Sequence, residues 1–171
     1  MSTSRILSLL VGAVLVFVAA TASAQAPAAP AAPAPPPAYG PPITNEQAKK
    51  VTAGAEAEAK KNNWNVVITI LDSGGQMVMM SRLDGAQFGS IKVAQDKAYS
   101  AVAFRRPTKV FQDLLAQGGA NLRLLDLSGA SMLEGGIPIV VGGKLIGAIG
   151  VSGVTSEQDA QIARAGIDAL K

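Results

Sequence analysis

From Ile43 onward the apolar positions change spacing several times, and each change marks an element. Ala48, Val51, Ala55 and Ala59 recur three or four residues apart, the repeat of one helix face. Thr44 precedes them with Gln47 three residues on, the pattern of a capping box. Polar Lys60-Lys61-Asn62-Asn63 closes that helix. Val66–Leu71 is a β-branched run, Asp72-Ser73-Gly74-Gly75 is a turn, and Gln76–Arg82 returns as a second strand. Val66, Ile68 and Ile70 fall on one side of the first strand, Val67 and Leu71 on the other. A strand apolar on both faces belongs to a sheet covered on both faces.

After a break at Leu83-Asp84-Gly85-Ala86, Ser90 is expected to cap a second helix. Its buried stripe is Ile91, Ala94, Ala98, Ala101 and Val102, rich enough in alanine for a neighbour to come close. Arg105-Arg106-Pro107 ends it. A short helix spans about Thr108 to Gln117 and stops at Gly118-Gly119. Asn121–Glu134 reads as irregular, with a short strand in Leu122–Leu125. Ile137–Val141 and Leu145–Val151 then flank Gly142-Gly143, a two-residue hairpin turn. Gly147, Gly150 and Gly153 recur in the returning strand, where side chains would block a closely packed helix or ligand. Thr155 or Ser156 caps the last helix, which buries Ile162, Ala165, Ile167 and Leu170. Short hairpins imply antiparallel pairing. The expectation is therefore an α+β domain with three α/β/α layers and no parallel nucleotide-binding sheet.

The first 42 residues follow other rules. Arg5, the apolar run Ile6–Ala20 and the small residues Ala22-Ser23-Ala24 make a signal peptide over residues 1–24, with cleavage before Gln25. This predicts a periplasmic or secreted protein with no stable membrane span after cleavage. Fifteen of the eighteen residues from Gln25 to Pro42 are Ala or Pro, the composition of an extended, semi-rigid linker. Residues 43–171 form the domain, of a size that buries a proper core.

The chain contains no cysteine and no histidine. Disulfides, thiolate metal sites and thiol catalysis are excluded, and so is the commonest general base and metal ligand. Without Arg5 the mature chain carries only two more basic than acidic residues. Nucleic-acid binding would need a concentrated basic face with stacking aromatics, and the domain has few of either. Gly143-Lys144 is followed by Leu145, so no phosphate loop forms, and no G-x-S-x-G elbow occurs.

Five segments carry a family resemblance: Met80-Ser-Arg-Leu-Asp-Gly-Ala86; Ala98–Phe104 with Arg106-Pro107-Thr108; Gly136-Ile-Pro138; Gly147–Gly153; and Glu157-Gln-Asp159. In this order the chain resembles the GlcG/HbpS-type haem-binding protein family over nearly all of residues 43–171. The resemblance implies a profilin-like fold, with a five-stranded antiparallel sheet between helices. It also implies a homo-oligomer (dimer or larger) and haem as cofactor. Some relatives ligate haem iron through histidine, which this chain lacks. Met80, Met132 and Tyr99 are then the candidate axial ligands, because thioether and phenolate also bind haem iron. A methionine filling core gaps, or a tyrosine with packed ring and wet hydroxyl, is the plainer reading of each.

Arg82 and Asp84 bracket a strand end, either lining a site or forming a local ion pair. Lys97 flanks the alanine stripe. Its stem either lies on apolar surface with the head in water, or its ammonium meets a carboxylate or propionate. Arg105, Arg106 and Lys109 are the densest basic cluster, suited either to a helix dipole or to carboxylate capture. Glu134, Glu157 and Asp159 are the remaining carboxylates, two of them in the first turn of a helix.

Three functions fit. The first is an exported protein that binds a tetrapyrrole or small carboxylate, accessory to a sensor or uptake system, with a sensor or envelope protein as partner. The second is a partner-binding or structural module on a Pro/Ala tether. The third is an enzyme of small hydroxy-acid or haem metabolism, whose general base would have to be a carboxylate, Lys97 or Tyr99.

Overall fold

The computed structural model describes residues 35–171. The expected signal peptide and most of the expected linker lie outside the described residues. The elements run β1 (Ala38–Tyr39), α1 (Asn45–Lys61), β2 (Val67–Asp72), β3 (Met77–Arg82), α2 (Gly89–Ala103), α3 (Lys109–Ala116), a 3₁₀ helix (Gly119–Asp126), β4 (Gly136–Val141), β5 (Lys144–Ser152) and α4 (Ser156–Asp168). No helix among the described residues is long and apolar enough to cross a membrane.

The α+β class and the three layers are as expected. Strand β5 is central, antiparallel to both β2 and β4, and β3 pairs outside β2. The fifth strand differs from the expected antiparallel sheet. β1 pairs parallel with Lys144 and Leu145 at the start of β5, so the sheet is mixed. Since β4 already holds one edge of β5 at those residues, β1 continues the row of β2 beyond Asp72.

That strand is held by more than its ladder. Tyr39 directs its hydroxyl at the carbonyls of Val102 (3.0 Å) and Ala103 (3.1 Å), which end α2. The Arg105 guanidinium lies 5.4 Å from the centre of the Tyr39 ring. The sheet thus reaches past Ile43 into the proline-rich stretch.

Side chains sort to the two faces as the alternation predicts. Val66, Ile68 and Ile70 join Val51, Ala55, Ile149, Val151 and Ile162 in one core beneath α1 and α4. Val67 packs with Ala86 and Ala94, and Leu71 with Ala98, Ala101, Val102 and Ala148, under α2. The alanine stripe lets α2 lie almost on the strand backbone. A Cβ placed on Gly150 would stand 2.1 Å from the Ala94 carbonyl oxygen and 2.5 Å from the Ala98 nitrogen. Gly142 and Gly143 turn the β4–β5 hairpin with φ of 55° and 76°, the left-handed pair of a type I′ turn.

Capping boxes form at Thr44/Gln47 and Thr155/Gln158 as expected. Two local expectations fail. Helix α2 begins at Gly89 with Phe88 at the cap position. Ser90 lies inside the helix, where its hydroxyl accepts a hydrogen bond from Ser152 of β5 at 3.2 Å. The strand expected in Leu122–Leu125 is instead a 3₁₀ helix with no buried residue. Its backbone groups are satisfied locally, Asn121 N–H on Gly118 C=O and Leu127 N–H on Leu124 C=O, because no sheet edge lies beside it.

Lys97 brings the largest change. Its side chain is 2% exposed, and its ammonium donates to Asp159 Oδ2 at 2.7 Å and Val151 C=O at 3.0 Å. The head is therefore not in water: of the two readings, the ammonium meeting a carboxylate is the one realised. Asp159 also accepts from Val154 N–H at 3.2 Å. Burial pushes the Asp159 carboxyl above its usual range, against the pull of the Lys97 ammonium. Desolvation thus outweighs the attraction, as in buried ion pairs that specify an arrangement more than they stabilise it.

Two predictions follow from this packing, both read by urea unfolding. Lys97→Met alone should cost about 3–5 kcal/mol, since Asp159 is left buried and unpaired, whereas Lys97→Met with Asp159→Leu should regain most of that loss. A single variant as stable as the parent would remove the pair from its structural role. Gly150→Ala should cost at least ~2 kcal/mol by overpacking against backbone, while Gly143→Asn at the exposed turn should be close to neutral.

Candidate functional site

The sequence-derived site residues do not converge on one place. Arg82, at the end of β3, uses Nε and Nη2 to hold the Ala86 carbonyl at 3.1 and 2.8 Å, closing the Leu83–Ala86 turn. Arg82 and Asp84 line a shallow polar cleft of about 390 Å³ with Trp64, Asn63 and Asn65. No ion pair joins the two among the described residues. Lys97 faces no cleft, being committed to Asp159.

Arg105 and Arg106 stand where α2 ends, and each is engaged by an aromatic ring. Arg105 adopts φ of 53° and stacks on Tyr39. Arg106 lies 5.9 Å from the Phe111 ring centre and donates through Nε to Phe104 C=O at 3.2 Å. These contacts favour the reading in which both complete a helix end.

Of the three candidate axial ligands, Met80 packs half-buried against the small core of Val67, Ala86 and Ala94. Tyr99 and Met132 come together, although they lie on different elements. They line a cleft of about 470 Å³ between the outer face of α2 and the segment 129–133, with Val93, Ala130, Leu133 and Lys92. Tyr99 is half exposed. Gly129 rests against its ring: a Cβ there would stand 2.8 Å from Tyr99 Cε1. Lys92 is paired with Asp96 on the same helix.

A third cleft, of about 410 Å³, lies between α3, β4 and α4 and was not foreseen as a site. Glu134 and Lys109 are both candidates in the sequence, but nothing there makes them neighbours. Arg164 gave no signal, because nothing in a surface arginine of an amphipathic helix distinguishes it in sequence.

A family model described as "Haem degrading protein HbpS-like" matches residues 43–168. The chain belongs to the HbpS-like family. Protein GlcG of Escherichia coli K12 is 38% identical over 110 residues, 64% of this chain and 81% of its own. Among solved structures, a doubly substituted HbpS from Streptomyces reticuli matches with a TM-score of 0.70 at 33% identity, over 82% of this chain and 99% of that one. A PduOC:haem complex matches with a TM-score of 0.68 at 29% identity, over 75% and 94%. The HbpS-like region thus begins at Ile43, five residues after the first paired residue of β1. In this HbpS-like chain the Tyr39 anchor lies ahead of the residues that the family model matches.

Proposed function

We propose that this protein is an exported haem- or tetrapyrrole-binding protein that holds its ligand in the cleft between α2 and residues 129–133. The observation that carries this reading is the meeting of Tyr99 and Met132 in one mainly apolar cleft. In a chain without histidine or cysteine, phenol and thioether are the side chains best suited to haem iron. Val93, Ala130 and Leu133 supply apolar walls, and Lys92, paired with Asp96 at the same cleft, is the cation that a propionate would have to share. Haem therefore fits the donor set. Bound there, it would supply an iron centre open to axial ligation and one-electron chemistry.

A cleft of about 470 Å³ is small for a flat macrocycle and leaves one face uncovered. Self-association belongs to the same reading. Leu133, half exposed, lines the cleft itself, and Phe88, Leu122 and Leu125 are exposed elsewhere on the surface; a second copy seated on Leu133 would cover the open face. Export rests on the leader pattern of residues 1–24. A role beside a sensor or uptake system is part of the same proposal.

The same exposed leucines favour the second reading, a partner-binding module that takes no ligand. An enzymatic reading loses one of its bases, since Lys97 is spent on Asp159.

Hemin titration of the chain beginning at Gln25 separates these readings. The expected result is a saturable Soret band at one hemin per chain, weakened about tenfold or shifted in wavelength by Tyr99→Phe or Met132→Leu. Saturable binding indifferent to both substitutions would move the site elsewhere. A response that never saturates would remove haem and leave the module reading.

A further inference from the structure

The cleft between α3, β4 and α4 contains a carboxylate that accepts no hydrogen bond from protein among the described residues. Pro107, Val110, Ile137 and Ala160 give it an apolar lining. Glu134 enters just ahead of β4 with its side chain only 7% exposed. A carboxylate buried to this extent ordinarily accepts several hydrogen bonds. Here the nearest cations, Lys109 Nζ at 3.9 Å and Arg164 Nη1 at 3.7 Å, stand beyond hydrogen-bond reach. The one hydrogen bond at Glu134 among the described residues uses its backbone N–H, on Gln112 Oε1 at 2.9 Å.

The two cations differ. Lys109 is engaged by Asp113 at 2.8 Å, a bond that raises the pKa of its ammonium above the ordinary value. Arg164 has Glu134 as its only ion-pair partner among the described residues, and its side chain is 57% exposed. The cleft therefore offers a buried acceptor, a planar cation at the mouth, and an apolar wall.

This combination selects a ligand chemistry. A simple cationic ligand would answer Glu134 but leave Arg164 without an acceptor. A simple fatty anion would reach Arg164 but leave Glu134 without a donor. A hydroxyl beside a carboxylate answers both groups, because Glu134 and Arg164 are only 3.7 Å apart. Groups on adjacent carbons of one molecule can address them together.

We propose that this cleft binds a small α-hydroxy carboxylate with a branched apolar body. Its hydroxyl donates to Glu134, its carboxylate meets Arg164, and its body lies on Val110 and Ile137. The site shares no lining residue with the Tyr99–Met132 cleft, so it stands independently of haem binding.

Isothermal titration of the chain beginning at Gln25 with α-hydroxyisovalerate, and separately with isovalerate, tests this. The hydroxy acid should saturate one site per chain and bind at least about tenfold more tightly than the analogue without the hydroxyl. Arg164→Met, a change at an exposed position, should weaken the hydroxy acid about tenfold and leave the hemin titration unaltered. Glu134→Gln should narrow the difference between the two probes. Three results would each overturn the proposal: no saturation by either probe, equal affinity for both, or full affinity retained in Arg164→Met.

Discussion

The Lys97–Asp159 ion pair fixes how the layers of this domain meet. It joins a helix on one face of the sheet to the first turn of a helix on the other, with a carbonyl of the central strand as third partner. Such a contact is possible only where the sheet gives way. It does so at Gly135 and Gly136: a Cβ on Gly135 would stand 2.9 Å from Lys97 Nζ, and one on Gly136 would stand 2.2 Å from the Lys97 carbonyl oxygen. The alanines of α2, the glycines of β4 and β5, and the acid in the first turn of α4 are thus one constraint seen from four elements. A buried pair tolerates little displacement, because each charge has lost its water and keeps only its partner. Both clefts flanking α2 and β4 inherit their shape from that registration.

Much of this architecture was legible in the sequence, and the reason is local. Helix and strand periodicity, the two capping boxes and the Gly142-Gly143 hairpin all depend on neighbours within a few residues. The two faces of β2 were assigned correctly because alternation is set by the strand itself. What failed depended on distant partners. Ser90 looked like a cap, but its hydroxyl faces Ser152, 62 residues away. Leu122–Leu125 looked like a strand, yet a strand needs a free edge, and none is available there. The parallel pairing of Ala38 and Tyr39 lies in a stretch whose composition speaks only of extension.

The candidate site was less legible for the same reason. Lys97 and Asp159 carry no mutual signal across 62 residues, so a carboxylate partner for Lys97 was one of two readings but Asp159 could not be named as that partner. Tyr99 and Met132 were singled out for their side-chain chemistry alone. That they line one cleft is a product of the chain's path from α3 through the 3₁₀ helix and back to β4. Arg82, Arg105 and Arg106 were noticed as charges, but each has backbone or ring contacts that account for its placement.

The anchoring of Tyr39 has a mechanical consequence. Two residues of ladder, a hydroxyl on the last carbonyls of α2 and a guanidinium on the ring hold the chain where the proline-rich stretch meets the domain. Tension arriving from the N-terminal side would enter the fold at the beginning of its central strand and at the end of α2. It would not pass first through Ile43 and α1. A leash fastened there loads the stiffest part of the body, and the arginine-clasped tyrosine is the knot that would slip first.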